Sequence, residues 1–171
     1  MRQTITVLNK METEGVFSRY AIGGGMACLF YMEPFVTFDL DVFVFLKTSD
    51  STSEIVSLSP IYDWLFAKGY RPGKEQILIE GVPVQFLIAY NSLIEDAVRN
   101  SLEKEYDGEV THVFSPEYLA AIMFQTGRPK DSARLCEFIP QSGLDLELLK
   151  HILSDHGLDK KIPVLEKLLN E

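Results

Sequence analysis

Cysteine, histidine and tryptophan are scarce in this chain, numbering two, three and one among 171 residues. Cys28 and Cys136 lie far apart with no Cys-x-x-Cys spacing, which excludes a disulfide scaffold and a cysteine-rich zinc site. Both are expected to be reduced thiols, buried in separate parts of the molecule. His112 falls in an expected strand, and His151 and His156 in or near the C-terminal helices, and none is read as a metal ligand. No Ser-His-Asp order or nucleophile elbow is present either, so hydrolytic chemistry has no support. No window approaches the roughly 18 apolar residues that cross a bilayer. The first fifteen residues contain no continuous apolar run, so neither a membrane partner nor a secretory signal is expected. A cytoplasmic location follows from that expectation. Positive charge is also short: 16 Lys and Arg stand against 25 Asp and Glu, for a net charge of −9. An acidic chain does not wrap long duplex DNA, although one local basic site remains open to it.

What is present is ordinary globular composition, 46% hydrophobic and 24% charged, in a chain long enough to bury a core unaided. Ile5, Leu8 and Met11 recur at helical spacing, predicting a helix over 5–16. An extended piece at 20–22, three glycines and a helix over 26–32 follow, stopped by Pro34. Residues 38–46 are rich in β-branched and aromatic types and read as a buried strand. A loop over 47–53, a helix capped by Ser53 and reaching Lys68, and Gly69 as its C-cap come next. Strands at 75–79 and 82–88 flank Glu80-Gly81 as a hairpin. Asn91 caps a helix running to about Leu102, Asp107-Gly108 is a turn, and 110–114 is a last strand.

Beyond it Ser115-Pro116 opens a run of helices, broken at 127–129, 140–143 and 156–157. The predicted fold class is α+β: a mixed sheet flanked by helices over 1–114, followed by a helical lobe over 115–171. Tyr62, Trp64 and Phe66 fit a helix packed on the sheet better than a base-stacking platform.

The chemistry is concentrated in Gly23-Gly24-Gly25 and in Thr37-Phe38-Asp39-Leu40-Asp41. Residues two apart on a strand share a face, so Asp39 and Asp41 project side by side. Paired carboxylates repel unless a cation lies between them, and they suit Mg²⁺, which takes its other oxygens from water and phosphate. Glycines before a helix let a phosphate approach the backbone. Arg128, Lys130 and Arg134 form a basic cluster at a helix break. It reads either as a solvated patch or as a triphosphate contact, with Asp131 available to orient its cations.

The stretch 20–46 resembles the start of the DNA polymerase β-type nucleotidyltransferase superfamily, marked by a glycine turn followed by an Asp-x-Asp strand. His112 to Leu135, reading HVFSPEYLAAIMFQTGRPKDSARL, is similar to a helical segment of abortive-infection type nucleotidyltransferase toxins. There Lys130-Asp131 and Ser115-Pro116-Glu117 match.

The resemblance implies transfer of a nucleoside monophosphate from a triphosphate to an RNA, protein or small-molecule acceptor. It implies Asp39, Asp41 and Lys130 as catalytic residues, with the two aspartates on Mg²⁺ or, in its place, Mn²⁺. Gly23, Gly24, Gly25, Thr37, Arg128, Asp131 and Arg134 would contact the nucleotide. An antitoxin is the implied protein partner. Two departures stand out. Phe35 occupies a position where the family usually has Arg. Gln85 stands where a third carboxylate is expected, with Glu80 nearby in sequence as a substitute. An amide is no general base, so the alternative is a weak or inactive nucleotide-binding module of the same fold.

Overall fold

The computed structural model describes residues 1–46, 57–71, 73 and 76–170. The loop expected over 47–53, with Ser53, and the strand start at Glu75 lie outside the described residues. The chain opens with α1 (Arg2–Thr13), whose Thr4, Ile5, Leu8 and Met11 are buried at the expected spacing. Strand β1 (Arg19–Gly23) runs into a short helix α2 (Gly24–Cys28), and β2 (Leu40–Phe45) follows. Helix α3 (Ser59–Ala67) precedes the hairpin β3 (Ile77–Ile79) and β4 (Val82–Ile88), then α4 (Ser92–Arg99). The hairpin β5 (Leu102–Tyr106) and β6 (Glu109–Val113) completes the sheet. Helices α5 (Pro116–Thr126), α6 (Pro129–Ser142), α7 (Leu146–Asp155) and α8 (Ile162–Leu169) end the chain.

The six strands form one mixed sheet in the order β3-β4-β2-β1-β6-β5. β1 is antiparallel to β2 but parallel to β6, and β2 is parallel to β4. This is the α+β arrangement expected. Buried residues from both sides of position 114, such as Ile22, Val42, Phe114, Phe138 and Leu153, belong to one cluster. The two hairpins turn at Glu80-Gly81 and Asp107-Gly108, each with both residues at positive φ, the primed turn that matches strand twist. No helix among the described residues is long and apolar enough to cross a membrane.

Several expectations are corrected. Helix α2 starts two residues early and stops at Cys28, because the chain must leave it to reach the extended segment before β2. Helix α3 begins at Ser59, behind Ser57, whose hydroxyl accepts from the Ser59 amide. Phe66 on that helix is exposed rather than packed, whereas the Tyr62 ring meets Phe86 edge-on and Trp64 Nε1 donates to Glu14.

Helix α4 is capped by Asn91 as expected, its side chain accepting from the Ile94 amide, but it ends at Arg99. Leu102 instead begins β5, paired along its whole length with β6. Helix α6 passes through Pro140 and ends at Ser142 under the left-handed Gly143. Pro140 costs the helix only a late bond to the Cys136 carbonyl, on its exposed side.

Cys28 is buried but Cys136 is exposed. Leu135, Phe138 and Ile139 face the core, and a step of about 100° from Leu135 turns Cys136 to solvent. Burial also pushes the Cys28 thiol up to about 11. Iodoacetamide is therefore expected to alkylate Cys136 in the native protein and Cys28 only after denaturation, read by peptide mass spectrometry. Equal labelling of the two in the native state would contradict this burial pattern.

Candidate active site

A cleft of about 580 Å³ lies between the sheet and helices α5 and α6. Gly24, Gly25, Thr37, Asp39, Asp41, Gln85, Arg128, Lys130, Asp131 and Arg134 all line it. The structure therefore brings together residues from four separate stretches of chain. Gly23 is the exception: it is buried, outside the lining, beneath the rings of Phe43 and Phe114. A Cβ there would sit 2.6 Å from Phe43 Cε2, so its role is to let the two rings close over the end of β1.

Strand register assembles the acidic side. Gly23 pairs with Asp41 across β1 and β2, and Asp41 pairs with Gln85 across β2 and β4. Burial alternates through the residues leading into β2: Phe35, Thr37, Asp39 and Asp41 are half-buried, while Val36 and Phe38 are exposed. The same-face placement of the two aspartates follows, although Asp39 precedes the strand rather than lying within it.

The remaining two glycines are required by contact. Gly24 has φ +61, and a Cβ on it would overlap Asp41 Oδ2. Any other residue there would be strained and would displace the carboxylate. A Cβ on Gly25 would come within 2.6 Å of Thr37 Oγ1.

Asp41 has its pKa raised to about 6, first by burial and then by the charge of Asp39, against the opposing pull of Lys130 and Arg128. Asp39 accepts a hydrogen bond of 3.1 Å from Gln76 Nε2. Gln76 immediately precedes β3 and falls within the strand expected over 75–79, where the sequence does not single it out. Glu80 does not reach the cleft. It sits at the hairpin tip and accepts from the Tyr70 hydroxyl at 2.6 Å.

On the basic side, Gly127 ends α5 and Arg128 and Pro129 open α6, so Lys130 and Arg134 fall one turn apart. Asp131 is buried and accepts from Arg128 Nε and Thr126 Oγ1, both at 2.6 Å, and from Arg128 Nη2 at 3.2 Å. Burial pulls its pKa upward, but these bonds outweigh burial and hold the carboxyl below its ordinary value. Asp131 thus orients Arg128. Lys130 and Arg134 have no carboxylate within ion-pair distance among the described residues. Arg134 instead stacks on Phe35, its Cζ 4.4 Å from the ring centroid.

In sequence, neither a protein-family model nor a curated protein matches the chain. Solved structures do resemble it. An antigenic nucleotidyltransferase-like protein from Paracoccidioides brasiliensis superposes with TM-score 0.53 at 16% identity, over 98% of this chain and 92% of its own. The antibiotic-resistance factor ANT(2'')-Ia superposes with TM-score 0.50 at 15% identity, over 98% and 97%. The fold is nucleotidyltransferase-like.

On this nucleotidyltransferase-like fold the donor set fits a hard divalent cation. Asp39 and Asp41 offer carboxylate oxygens side by side, and an ion between them would relieve the repulsion that raises Asp41. No cluster of three or more His, Cys, Asp or Glu residues forms a metal site among the described residues. An ion held here would take its other oxygens from water and phosphate.

The three histidines stand apart from the cleft. His112 meets the Tyr20 ring edge-on, and His151 Nδ1 contacts the Glu147 carbonyl. His156 bridges Ser92 Oγ at 3.1 Å and Asp96 Oδ2 at 3.3 Å. Ser92 and Asp96 lie one turn apart on α4, so this contact fastens α4 to the end of α7.

The raised pKa of Asp41 makes a signed prediction. A carboxyl raised from 3.8 to about 6 on folding favours the folded state below pH 4, and that contribution is lost as pH rises through 6. Asp41→Asn is therefore expected to stabilise the metal-free protein by about 1–2 kcal/mol at pH 8. The gain should vanish near pH 4. Urea unfolding at both pH values measures it, and equal midpoints of mutant and wild type at pH 8 would contradict the burial and repulsion described.

Proposed function

We propose that this chain is a nucleotidyltransferase, moving a nucleoside monophosphate from a nucleoside triphosphate to an acceptor with Mg²⁺ as cofactor. The observation that carries the reading is the facing of two unlike walls: Asp39 and Asp41 on one, Arg128, Lys130 and Arg134 on the other. The acceptor is an RNA, a protein side chain or a small molecule, in a cytoplasmic setting. Membership of the abortive-infection type branch, with an antitoxin partner, rests on Ser115-Pro116-Glu117 and Lys130-Asp131 alone.

In this reading Lys130 and Arg134 bind the triphosphate and Arg128, steadied by Asp131, adds bidentate contacts. Gly24 and Gly25, without side chains, let Asp41 and Thr37 close onto the backbone at the edge of the phosphate site. Asp39 and Asp41 would hold Mg²⁺, which when bound neutralises phosphate charge and aligns the attacking and leaving oxygens. The acceptor oxygen attacks the α-phosphorus, the bond to the β-phosphate oxygen breaks, and pyrophosphate leaves. Gln85 cannot take the acceptor proton, which passes to solvent. Gln76 fixes the rotamer of Asp39 through its hydrogen bond.

A second reading, a binder with little turnover, draws on Gln85, which lies directly beside Asp41 in the strand register. Incubation with each labelled triphosphate, Mg²⁺ and total RNA or protein extract tests the first reading. Label transfer is expected from wild type and not from a variant carrying Asp39→Ala with Asp41→Ala. Transfer that survives this double change would refute the site.

Gln85→Asp separates the two readings. A positioned base contributes typically 10²–10⁴-fold, so an active transferase is expected to gain rate, up to roughly that range. A pure binder would instead bind Mg²⁺-nucleotide more tightly without turning over. Brisk wild-type transfer abolished by Gln85→Asp would show that this position is not a vacant carboxylate site.

A further inference from the structure

We infer that Phe35 is a positioning residue for the triphosphate, its ring face holding the Arg134 guanidinium at the corner formed by Gly25 and Thr37. The inference rests on the nucleotide-binding reading above and names the device that aims one of its cations.

The two arginines of the cleft are held in opposite ways. Arg128 is fixed by the buried Asp131, which takes up its Nε and one Nη2 hydrogen bond. Arg134 lies over Phe35, with its Cζ 4.4 Å from the ring centroid. An aromatic face attracts a guanidinium through the ring quadrupole and orients its plane, yet leaves the net charge and the N–H edge free. A carboxylate could not do both.

The direction of that free edge is recorded by Gly25. A Cβ built there would lie 3.6 Å from Arg134 Nη1 and 2.6 Å from Thr37 Oγ1. One guanidinium nitrogen and one hydroxyl thus lie together beside the backbone of Gly25, at the lining of the cleft, an arrangement of donors suited to a phosphate oxygen. Phe35 is able to serve as a fixed platform because it is half-buried and packs against the core. It also shares the inward face of its segment with Thr37 and Asp39. The ligand class is an inorganic or nucleotide polyphosphate, recognised here without reference to its base.

Inorganic triphosphate with Mg²⁺, titrated calorimetrically into the full chain, is a probe that does not depend on which base is bound. Phe35→Leu keeps an apolar side chain on the core but removes the ring face. It is expected to weaken binding by roughly 2- to 30-fold, the span of a cation–π contact from exposed to desolvated. Phe35→Tyr is expected to restore affinity. In an Arg134→Ala background Phe35→Leu should cost nothing further, and the ring-current shift of the Arg134 Nε resonance should disappear in Phe35→Leu alone. Wild-type binding that Phe35→Leu does not weaken, or a loss that persists without Arg134, overturns the role of Phe35 and leaves the nucleotide reading standing. Failure of the wild-type chain to bind either triphosphate or any nucleoside triphosphate overturns that reading, and this inference with it.

Discussion

Asp41 lies so close to the α-carbon of Gly24 that its carboxylate occupies the space any other residue would need for a side chain. Three features converge on that contact. The antiparallel register sets Gly23 opposite Asp41, the chain turns left-handed at Gly24, and the Phe43 and Phe114 rings close over Gly23 from the side. The carboxylate gains a defined position and loses part of its hydration. That is why its pKa rises, with the Asp39 charge adding to the effect. The cost is tolerable because cations from α6 face it across the cleft, so the stability of the acidic wall is tied to a helix nearly ninety residues further along the chain.

The chain is acidic overall, whereas the cleft lining sets Arg128, Lys130 and Arg134 against Asp39, Asp41 and Asp131, and both distributions matter. The chain carries −9 overall, yet two of the three cleft cations have no carboxylate partner among the described residues. At physiological salt, fields fade over a Debye length of about 8 Å. A compact anion seated on the α6 wall of the cleft therefore meets Lys130, Arg134 and Arg128. An extended polyanion lying along the surface meets the acidic remainder. The distribution selects for a small, highly charged ligand rather than for a long phosphate backbone.

Local spacing made the glycine turn and the Asp-x-Asp pair legible in sequence, since i and i+2 on an extended chain share a face whatever the strand boundary. Ser115, Pro116 and Asn91 were legible as helix starts for the same reason: capping is decided within four residues. Strand β5 was hidden because Leu-Glu-Lys-Glu favours helix, and only pairing with β6 makes it a strand. Cys136 was misread from its apolar neighbours, because neighbours in sequence point elsewhere around a helix. Gln76 could not be found at all from spacing. Its bond to Asp39 spans 37 residues and depends on how a hairpin seats at the sheet edge. The partner of Asp131 was readable only as an alternative, since burial decides whether a carboxylate binds a ligand or holds an arginine.

The split of the cleft between its two walls also orders events in time. Asp39, Asp41 and the glycines lie between residues 24 and 41, whereas every cleft cation lies between residues 128 and 134. β1 must also wait for β6 before its second edge is paired. A chain emerging from a ribosome thus completes the acidic wall long before its counter-charges exist. Until residues 128–134 have left the exit tunnel, the nascent chain carries an acidic wall with nothing opposite to balance it.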